Sequence, residues 1–264
     1  MPFDTQTHDA LAADFQREGH VVLRQLFDPD TLRAWNERFG PLLAAHIERE
    51  RDNPNRGSHR HYVTLPFDGC YADPAICEHP DLLAVLDRIL GEQVVMCQLA
   101  TDTPLLGSDY QDVHRDTPPL FPETGTETPS FQIAVNFPLC DVTADNGPIE
   151  LIRGTHLMSR EEGLARLARG EARLEPLPMK LGDVVIRDVR HLHRGTPNRT
   201  DVPRPMVVIG YSRRWLFRPE VSIRVPRSVH AGLSERGRSL LRFNAVVDDE
   251  QALPQGEGYR VFAY

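Results

Sequence analysis

Two short stretches of this 264-residue chain combine residue types that hold metals. Val113-His114-Arg115-Asp116 carries a histidine and an aspartate two positions apart, and Arg190-His191-Leu192-His193-Arg194-Gly195 carries two further histidines. On an extended segment, residues two apart face the same way, so His114 and Asp116 converge on one point while Arg115 turns away. Two imidazoles and one carboxylate form the set found in non-haem Fe(II) oxygenases. Three protein ligands leave positions open for a chelating co-substrate and O2, whereas a closed four-ligand set holds metal structurally. Taken alone, a His-x-Asp pair is more often a solvated polar cluster. His191 and His193 share one alternation, so periodicity does not choose the third ligand.

The remaining chain must position these residues. Thr7 to Glu18 reads as a helix, with Leu11 and Phe15 at helical spacing, Thr7 as N-cap and Gly19 as stop, followed by a strand at His20–Leu23. Asp28-Pro29-Asp30 opens a second helix whose apolar stripe is Leu32, Trp35, Phe39, Leu42, Leu43 and Ile47. Glu50 to Pro74 reads as a long irregular connection, pinned to a core by Tyr62–Phe67. His79-Pro80-Asp81 opens a third helix, closed by Gly91.

After Gly91 the chain turns to short β-branched and aromatic runs, at Val94–Leu99, Ser130–Phe137, Pro148–Ile152, Asp183–Ile186 and Pro205–Tyr211. One helix, Ser159–Arg169, interrupts them with Ser159 and Glu162 in capping-box spacing. Helices first and strands later argue against a doubly wound sheet. They predict a mainly β fold with flanking helices, built as one domain on a double-stranded β-helix core of the jelly-roll, cupin-like type.

Composition is that of an ordinary soluble globular chain, 40% hydrophobic and 26% charged. A formal net charge of -8 disfavours a nucleic-acid surface. Cys70, Cys77, Cys97 and Cys140 have no zinc-like spacing and read as reduced, mostly buried thiols. The start of the chain shows neither a basic nor an apolar signal region, and no apolar run reaches bilayer length, so the cytoplasm is the expected location and no membrane partner is expected.

At this point the residues resemble the phytanoyl-CoA dioxygenase family of Fe(II)/2-oxoglutarate-dependent oxygenases. Phe15 to Arg24 resembles the family's opening helix and strand, and His114-Arg115-Asp116 its metal pair. Asn146-Gly147 through Gly154-Thr155-His156 is similar to its turn, apolar strand and Gly-Ser/Thr-His ending. Gly182-Asp183-Val184 through His193-Arg194-Gly195-Thr196-Pro197-Asn198-Arg199-Thr200 resembles the segment with its distal histidine. Leu233–Leu241 faintly resembles a C-terminal element of some members.

The resemblance implies that His193, standing in the family's relation to Gly195, Asn198 and Thr200, is the third ligand beside His114 and Asp116, and that His191 packs. It implies Fe(II) as metal, 2-oxoglutarate and O2 as co-substrates, and Arg204 as the partner of the far 2-oxoglutarate carboxylate, to which a guanidinium fork is suited. Thr196, Gln98 and Gln132 are further candidates for holding the co-substrate. Asn146, Gly147 and His156 are expected to be structural, with Glu150 holding a neighbour of the site.

The implied reaction decarboxylates 2-oxoglutarate to succinate and CO2 and oxidises a small molecule. Related halogenases have a small residue where Asp116 stands, so its presence favours hydroxylation over halogenation, with desaturation or ring formation also open. Basic groups at Arg56–His61 and Arg115 suit an anionic or polar substrate if they face the pocket, and solvent if they do not. Nothing in the sequence demonstrates a coenzyme A thioester. A cupin-like metalloenzyme without 2-oxoglutarate and a non-catalytic binding protein are the competing classes.

Overall fold

A computed structural model describes residues 2–50, 56–218 and 222–252. The first helix, α1 (Thr5–Glu18), is capped by Asp4 rather than Thr7: the Asp4 carboxylate accepts from the Thr7 N–H at 2.8 Å. A carboxylate there also complements the positive end of the helix dipole. Gly19 ends α1 at φ +81°, and a Cβ on it would lie 2.5 Å from the His191 ring, so conformation and space both demand glycine. β1 (His20–Leu23) follows, then α2 (Pro29–Arg49), capped by Asp28 with proline in its first turn. Leu32, Trp35, Phe39 and Leu43 are buried along α2, with Leu42 and Ile47 half-buried at the edge of that stripe.

The stretch expected to be irregular contains a strand, β2 (Arg60–Thr64); residues 51–55 lie outside the described residues. Arg60, His61, Tyr62 and Val63 are all buried, so the strand shows neither the apolar alternation nor the apolar run that marks one. Next come α3 (Pro74–Cys77), α4 (Pro80–Leu90), β3 (Val95–Pro104), β4 (Gln132–Pro138) and β5 (Ile149–Leu151). α5 (Arg160–Ala168) has half of its capping box: Ser159 accepts from the Glu162 N–H, but the Glu162 carboxylate turns to Arg166. β6 (Glu175–Leu177), β7 (Val184–Asp188), β8 (His193–Gly195), β9 (Met206–Ser212), β10 (Arg224–Pro226), α6 (Arg227–Gly232), α7 (Glu235–Leu240) and β11 (Ala245–Val247) complete the order.

Six strands form one antiparallel sheet in the order β1-β7-β4-β9-β3-β2, and three form a smaller antiparallel sheet, β6-β5-β8. Strand alternation divides the large sheet into two chemically different faces. Ile133, Val135 and Phe137 of β4, Val184 and Ile186 of β7, and Val207, Ile209 and Tyr211 of β9 join the residues of α1, α2 and α4 in one core. Trp35 stands edge-on to Tyr71 and Phe137, with ring centroids 4.9 and 5.5 Å away. Burying each such large side chain contributes about 1.5–3 kcal/mol.

The residues between them, Gln132, Ala134, Asn136, Val185, Arg187, Met206 and Val208, line a cavity on the other face. Ile149, His193 and Gly195 of the smaller sheet form part of its opposite wall. A bulge between Met96 and Gln98 puts Met96 in the helix-side core and Gln98 in the cavity wall; without the extra residue both would share a face.

All four cysteines are free, Cys77 and Cys97 buried, Cys70 and Cys140 half-buried. Among the described residues, no helix is long and apolar enough to cross a membrane.

Candidate metal centre

β7, β8 and the connection between β3 and β4 meet at one end of this cavity. His114 is not on a regular strand as the sequence suggested; it makes a single bridge to His193, with N–H to O distances of 2.9 and 3.1 Å in the two directions. The Asp116 N–H donates to the Val189 carbonyl at 2.8 Å, so three backbone bonds lay the segment beside residues 189–193. Both side chains still converge as predicted. Candidate donor atoms of His114, Asp116 and His193 all lie within 4.8 Å of one another. Asp116 Oδ1 is 3.8 Å from His114 Nε2 and 3.5 Å from His193 Nε2.

The outward ring nitrogens fix the tautomers. His114 Nδ1 lies 2.7 Å from the Asp112 carbonyl and His193 Nδ1 2.8 Å from the His191 carbonyl. A carbonyl only accepts, so each Nδ1 carries a proton and Nε2 is the atom that faces the centre; Arg187 Nη1 also lies 3.3 Å from His193 Nδ1. Burial, reinforced by the neighbouring His193, lowers the His114 pKa to about 4, keeping that ring neutral near pH 7. Burial alone would raise the Asp116 pKa, but the Arg187 guanidinium and the two imidazoles hold it well below the carboxylate range. Two imidazoles and an ionised carboxylate with open space beside them are the donor set that fits Fe(II).

His191 is excluded from this group. Its Nε2 lies 3.0 Å from the Glu18 carbonyl, and its ring packs on His20 at 5.2 Å. His156 is likewise buried in packing, against Phe15. Asn146 shapes its turn by accepting from the Thr143 N–H and donating to the Asp141 carbonyl, and Glu150 pairs with Arg194 at 2.6 Å.

Arg204 lines the other end of the cavity at 2% exposure, its Nε without a partner and its nearest carboxylate, Asp102, 3.9 Å away. Burial lowers its pKa to about 10, which leaves it cationic at neutral pH. The Asn136 Oδ1 and Thr117 Oγ1, also in the wall, are buried without partners. Buried polar atoms are normally satisfied, so this wall is shaped for something polar to fill it. At about 110 Å3 the cavity far exceeds the roughly 10–15 Å3 that one water needs.

The remaining candidates take different places. Thr196 is not in the cavity wall; its hydroxyl donates to the Pro148 carbonyl at 2.7 Å, because the turn after β8 points it at β5. Gln98 and Gln132 do line the cavity, but strand register sets them beside Gly210 and Ser212, whereas Arg204 precedes Met206 at the opposite end. They therefore stand toward the end of the cavity away from Arg204. Arg115 points away from the cavity, bound to Glu127 and to the Thr155 and Met158 carbonyls. In the Arg56–His61 loop, Arg56 lines the cavity, while Arg60 binds Asp102 at 2.8 Å behind it.

Sequence reasoning missed Arg187, which lines the cavity and donates to Asp116 Oδ2 at 2.6 Å. The available signal was its place directly after the apolar run Val184-Val185-Ile186, in a strand that ends on the charged pair Arg187-Asp188.

A two-imidazole, one-carboxylate group opening on a polar cavity between two antiparallel sheets is the arrangement of a non-haem iron site. The chain belongs to the phytanoyl-CoA dioxygenase (PhyH) family, whose pattern it matches over residues 15–206. Its fold is similar to that of SnoN, a non-heme alpha ketoglutarate dependent epimerase from nogalamycin biosynthesis solved with Fe3+, alpha ketoglutarate and nogalamycin RO. That match has 18% identity and a TM-score of 0.60, covering 80% of this chain and 85% of SnoN. SnoK, a non-heme alpha ketoglutarate dependent carbocyclase from the same biosynthesis, matches with 16% identity and a TM-score of 0.59, covering 81% of this chain and 87% of SnoK. AviO1 from Streptomyces viridochromogenes Tue57 matches with 22% identity and a TM-score of 0.58, covering 80% of this chain and 96% of AviO1.

Proposed function

We propose that the chain is a single-domain Fe(II)/2-oxoglutarate-dependent dioxygenase with a double-stranded β-helix core, hydroxylating a small molecule. The observation that carries this is the convergence of His114, Asp116 and His193 on one point of a cavity whose far end holds the buried guanidinium of Arg204. Family membership and neighbours titled as alpha ketoglutarate dependent support it. When bound, Fe(II) with 2-oxoglutarate and O2 supplies the oxidising power, releasing succinate and CO2.

The protein's part is placement. His114, Asp116 and His193 hold the metal through Nε2, one carboxylate oxygen and Nε2. Arg204 takes the far carboxylate of 2-oxoglutarate in a two-point, charge-assisted contact that a buried guanidinium makes well. Asn136, between Arg204 and the metal group along β4, offers its unpartnered Oδ1. The end lined by Gln98, Gln132 and Arg218 is left for the substrate, so its C–H faces the metal group from the side away from Arg204. Amide and guanidinium groups there suit a polar or anionic molecule. Asp116 fills the ligand position that a halide would need, which favours hydroxylation; neighbours named as epimerase and carbocyclase mark the outcomes that a different substrate placement would give.

Anaerobic protein mixed with Fe(II) and 2-oxoglutarate should develop a weak visible charge-transfer band. His114→Ala or His193→Ala should abolish it; a band surviving either change overturns the ligand assignment. Substrate-triggered succinate formation across amino acids, natural-product intermediates and acyl-CoAs then identifies the substrate. Hydroxylated product carrying one atom from O2 supports the reaction type, and an unsaturated or cyclised product replaces it.

A further inference from the structure

Six charged side chains close a circuit around the segment that carries His114 and Asp116. Arg187 Nη2 donates to Asp116 Oδ2 at 2.6 Å. The next residue, Asp188, accepts from Arg190 Nε at 3.0 Å, from Arg190 Nη2 at 2.9 Å and from the Ser130 hydroxyl at 2.6 Å. Arg190 Nη1 donates to Glu127 Oε2 at 3.0 Å, and Arg115 Nη1 donates to Glu127 Oε1 at 2.6 Å. Arg115 is the peptide neighbour of Asp116, so the path returns to its start. Acid and base alternate all the way round. Asp116, whose side chain is 25% exposed, and Arg187 line the cavity; the side chains of all but Asp116 are 5% exposed or less.

Stability does not explain such a circuit. Taking charges out of water costs several kcal/mol per ion, and well-packed apolar residues in their place are often neutral or stabilising. A buried ionic arrangement does fix geometry, and this segment has little else to fix it: three backbone bonds hold His114 and Asp116, with one more from Gln111 to Gly195, where a regular strand would have a full ladder. β7 and the turn after it reach the segment from both sides, through Arg187 to Asp116 and through Asp188, Arg190 and Glu127 to Arg115.

We infer that Arg187 is a positioning residue for Asp116. By occupying Oδ2 it leaves Oδ1, the oxygen already 3.5 and 3.8 Å from the two Nε2 atoms, as the one that faces the metal point. A carboxylate released from Arg187 turns about its last torsion and presents either oxygen or both. The guanidinium also draws electron density from the carboxylate, so Asp116 donates more weakly than a free aspartate would. This inference rests on reading His114, Asp116 and His193 as iron ligands.

The test compares wild type with Arg187→Met, which keeps length and removes charge, and Arg187→Lys, which keeps charge and removes the fork. Mn(II) alone is titrated by its free-ion paramagnetic resonance signal, and the Fe(II)·2-oxoglutarate band is recorded without O2. Arg187→Met should weaken Mn(II) binding by about 10–100-fold, the range for groups that orient metal ligands, and move the band to longer wavelength as Asp116 becomes a stronger donor. Arg187→Lys should lose less affinity and keep the band near its wild-type position. Wild-type affinity with an unshifted band in Arg187→Met overturns the inference. Should that variant not fold, an unchanged Mn(II) affinity in Arg187→Lys does the same. A wild-type protein that neither takes Mn(II) nor gives a band instead overturns the ligand reading itself, so the two failures are distinguishable.

Discussion

The guanidinium of Arg204 stands 3.9 Å from the carboxylate of Asp102, whose Oδ2 is already engaged by Arg60 at 2.8 Å. Two arginines thus approach one carboxylate, and the one in the cavity wall is the looser of the pair. Arg204 remains cationic and buried, with an unpartnered Nε. In the proposed reading, a second carboxylate, that of 2-oxoglutarate, takes this place.

Arg204→Ala should therefore weaken 2-oxoglutarate binding by about 2–5 kcal/mol, the cost of removing one partner of a buried, hydrogen-bonded charge pair. Arg204→Lys should fall between, because a lysine supplies the charge without the planar fork. Titrating 2-oxoglutarate into the anaerobic Fe(II) protein measures both. Equal affinities in all three proteins would remove Arg204 from the co-substrate site and favour a metalloenzyme that does not use 2-oxoglutarate.

Gly195 guards the same arrangement from the other side. A Cβ there would lie 2.6 Å from Arg60 Nη1 and 2.7 Å from Gln111 Oε1. Gly195→Ala should cost about 1–3 kcal/mol of stability by overpacking, seen as a lower thermal midpoint. Pushing Arg60 aside also frees Asp102 to neutralise Arg204. The variant should consequently lose 2-oxoglutarate affinity while keeping Mn(II) affinity.

How much of this was legible depends on which interactions were local. His114 and Asp116 showed themselves because their spacing carries the chemistry, His193 was separated from His191 only by the resemblance to the family, and the strands at β4, β7 and β9 showed themselves because one face of each is apolar. β2 was hidden by its buried Arg60 and His61, whose partners Asp102 and His46 are distant in sequence. Thr196 misled because proximity to His193 along the chain says nothing of the direction its hydroxyl takes. Gln98 and Gln132 were placed on the right strands, but which end of the cavity they occupy follows from register across β9, which no single strand reveals.

Buried histidines set the acid limit of stability. His46 is 4% exposed; burial, together with His61 and Arg49 beside it, lowers its pKa to about 4. Its Nδ1 accepts from Arg49 at 3.1 Å, a bond that protonation removes. The folded value lies below the unfolded one, so this stability is fully present above about pH 6.5 and is lost as pH falls toward 4. The full loss is about 3 kcal/mol for this one group. Denaturant midpoints at pH 7 and 4.5 should differ less in His46→Gln than in wild type, and an equal difference would sink the assignment.

Asp116→Gly separates the carboxylate's two tasks, completing the metal group and neutralising Arg187. Removing it leaves Arg187, 4% exposed, as a buried cation with an empty volume in front of it. An uncompensated buried charge is strongly unfavourable, so an anion small enough to take the carboxylate's place is drawn in. Chloride meets both needs, offering a ligand to the metal and a partner to the guanidinium. Fe(II)·2-oxoglutarate affinity of Asp116→Gly should rise with chloride and not with an equal concentration of the bulkier sulfate, while wild type responds to neither beyond ionic strength. Adding Arg187→Met to Asp116→Gly should abolish the chloride effect. If chloride still helps in the double variant, the ion is answering the metal alone and Arg187 contributes nothing to the charge balance at this position.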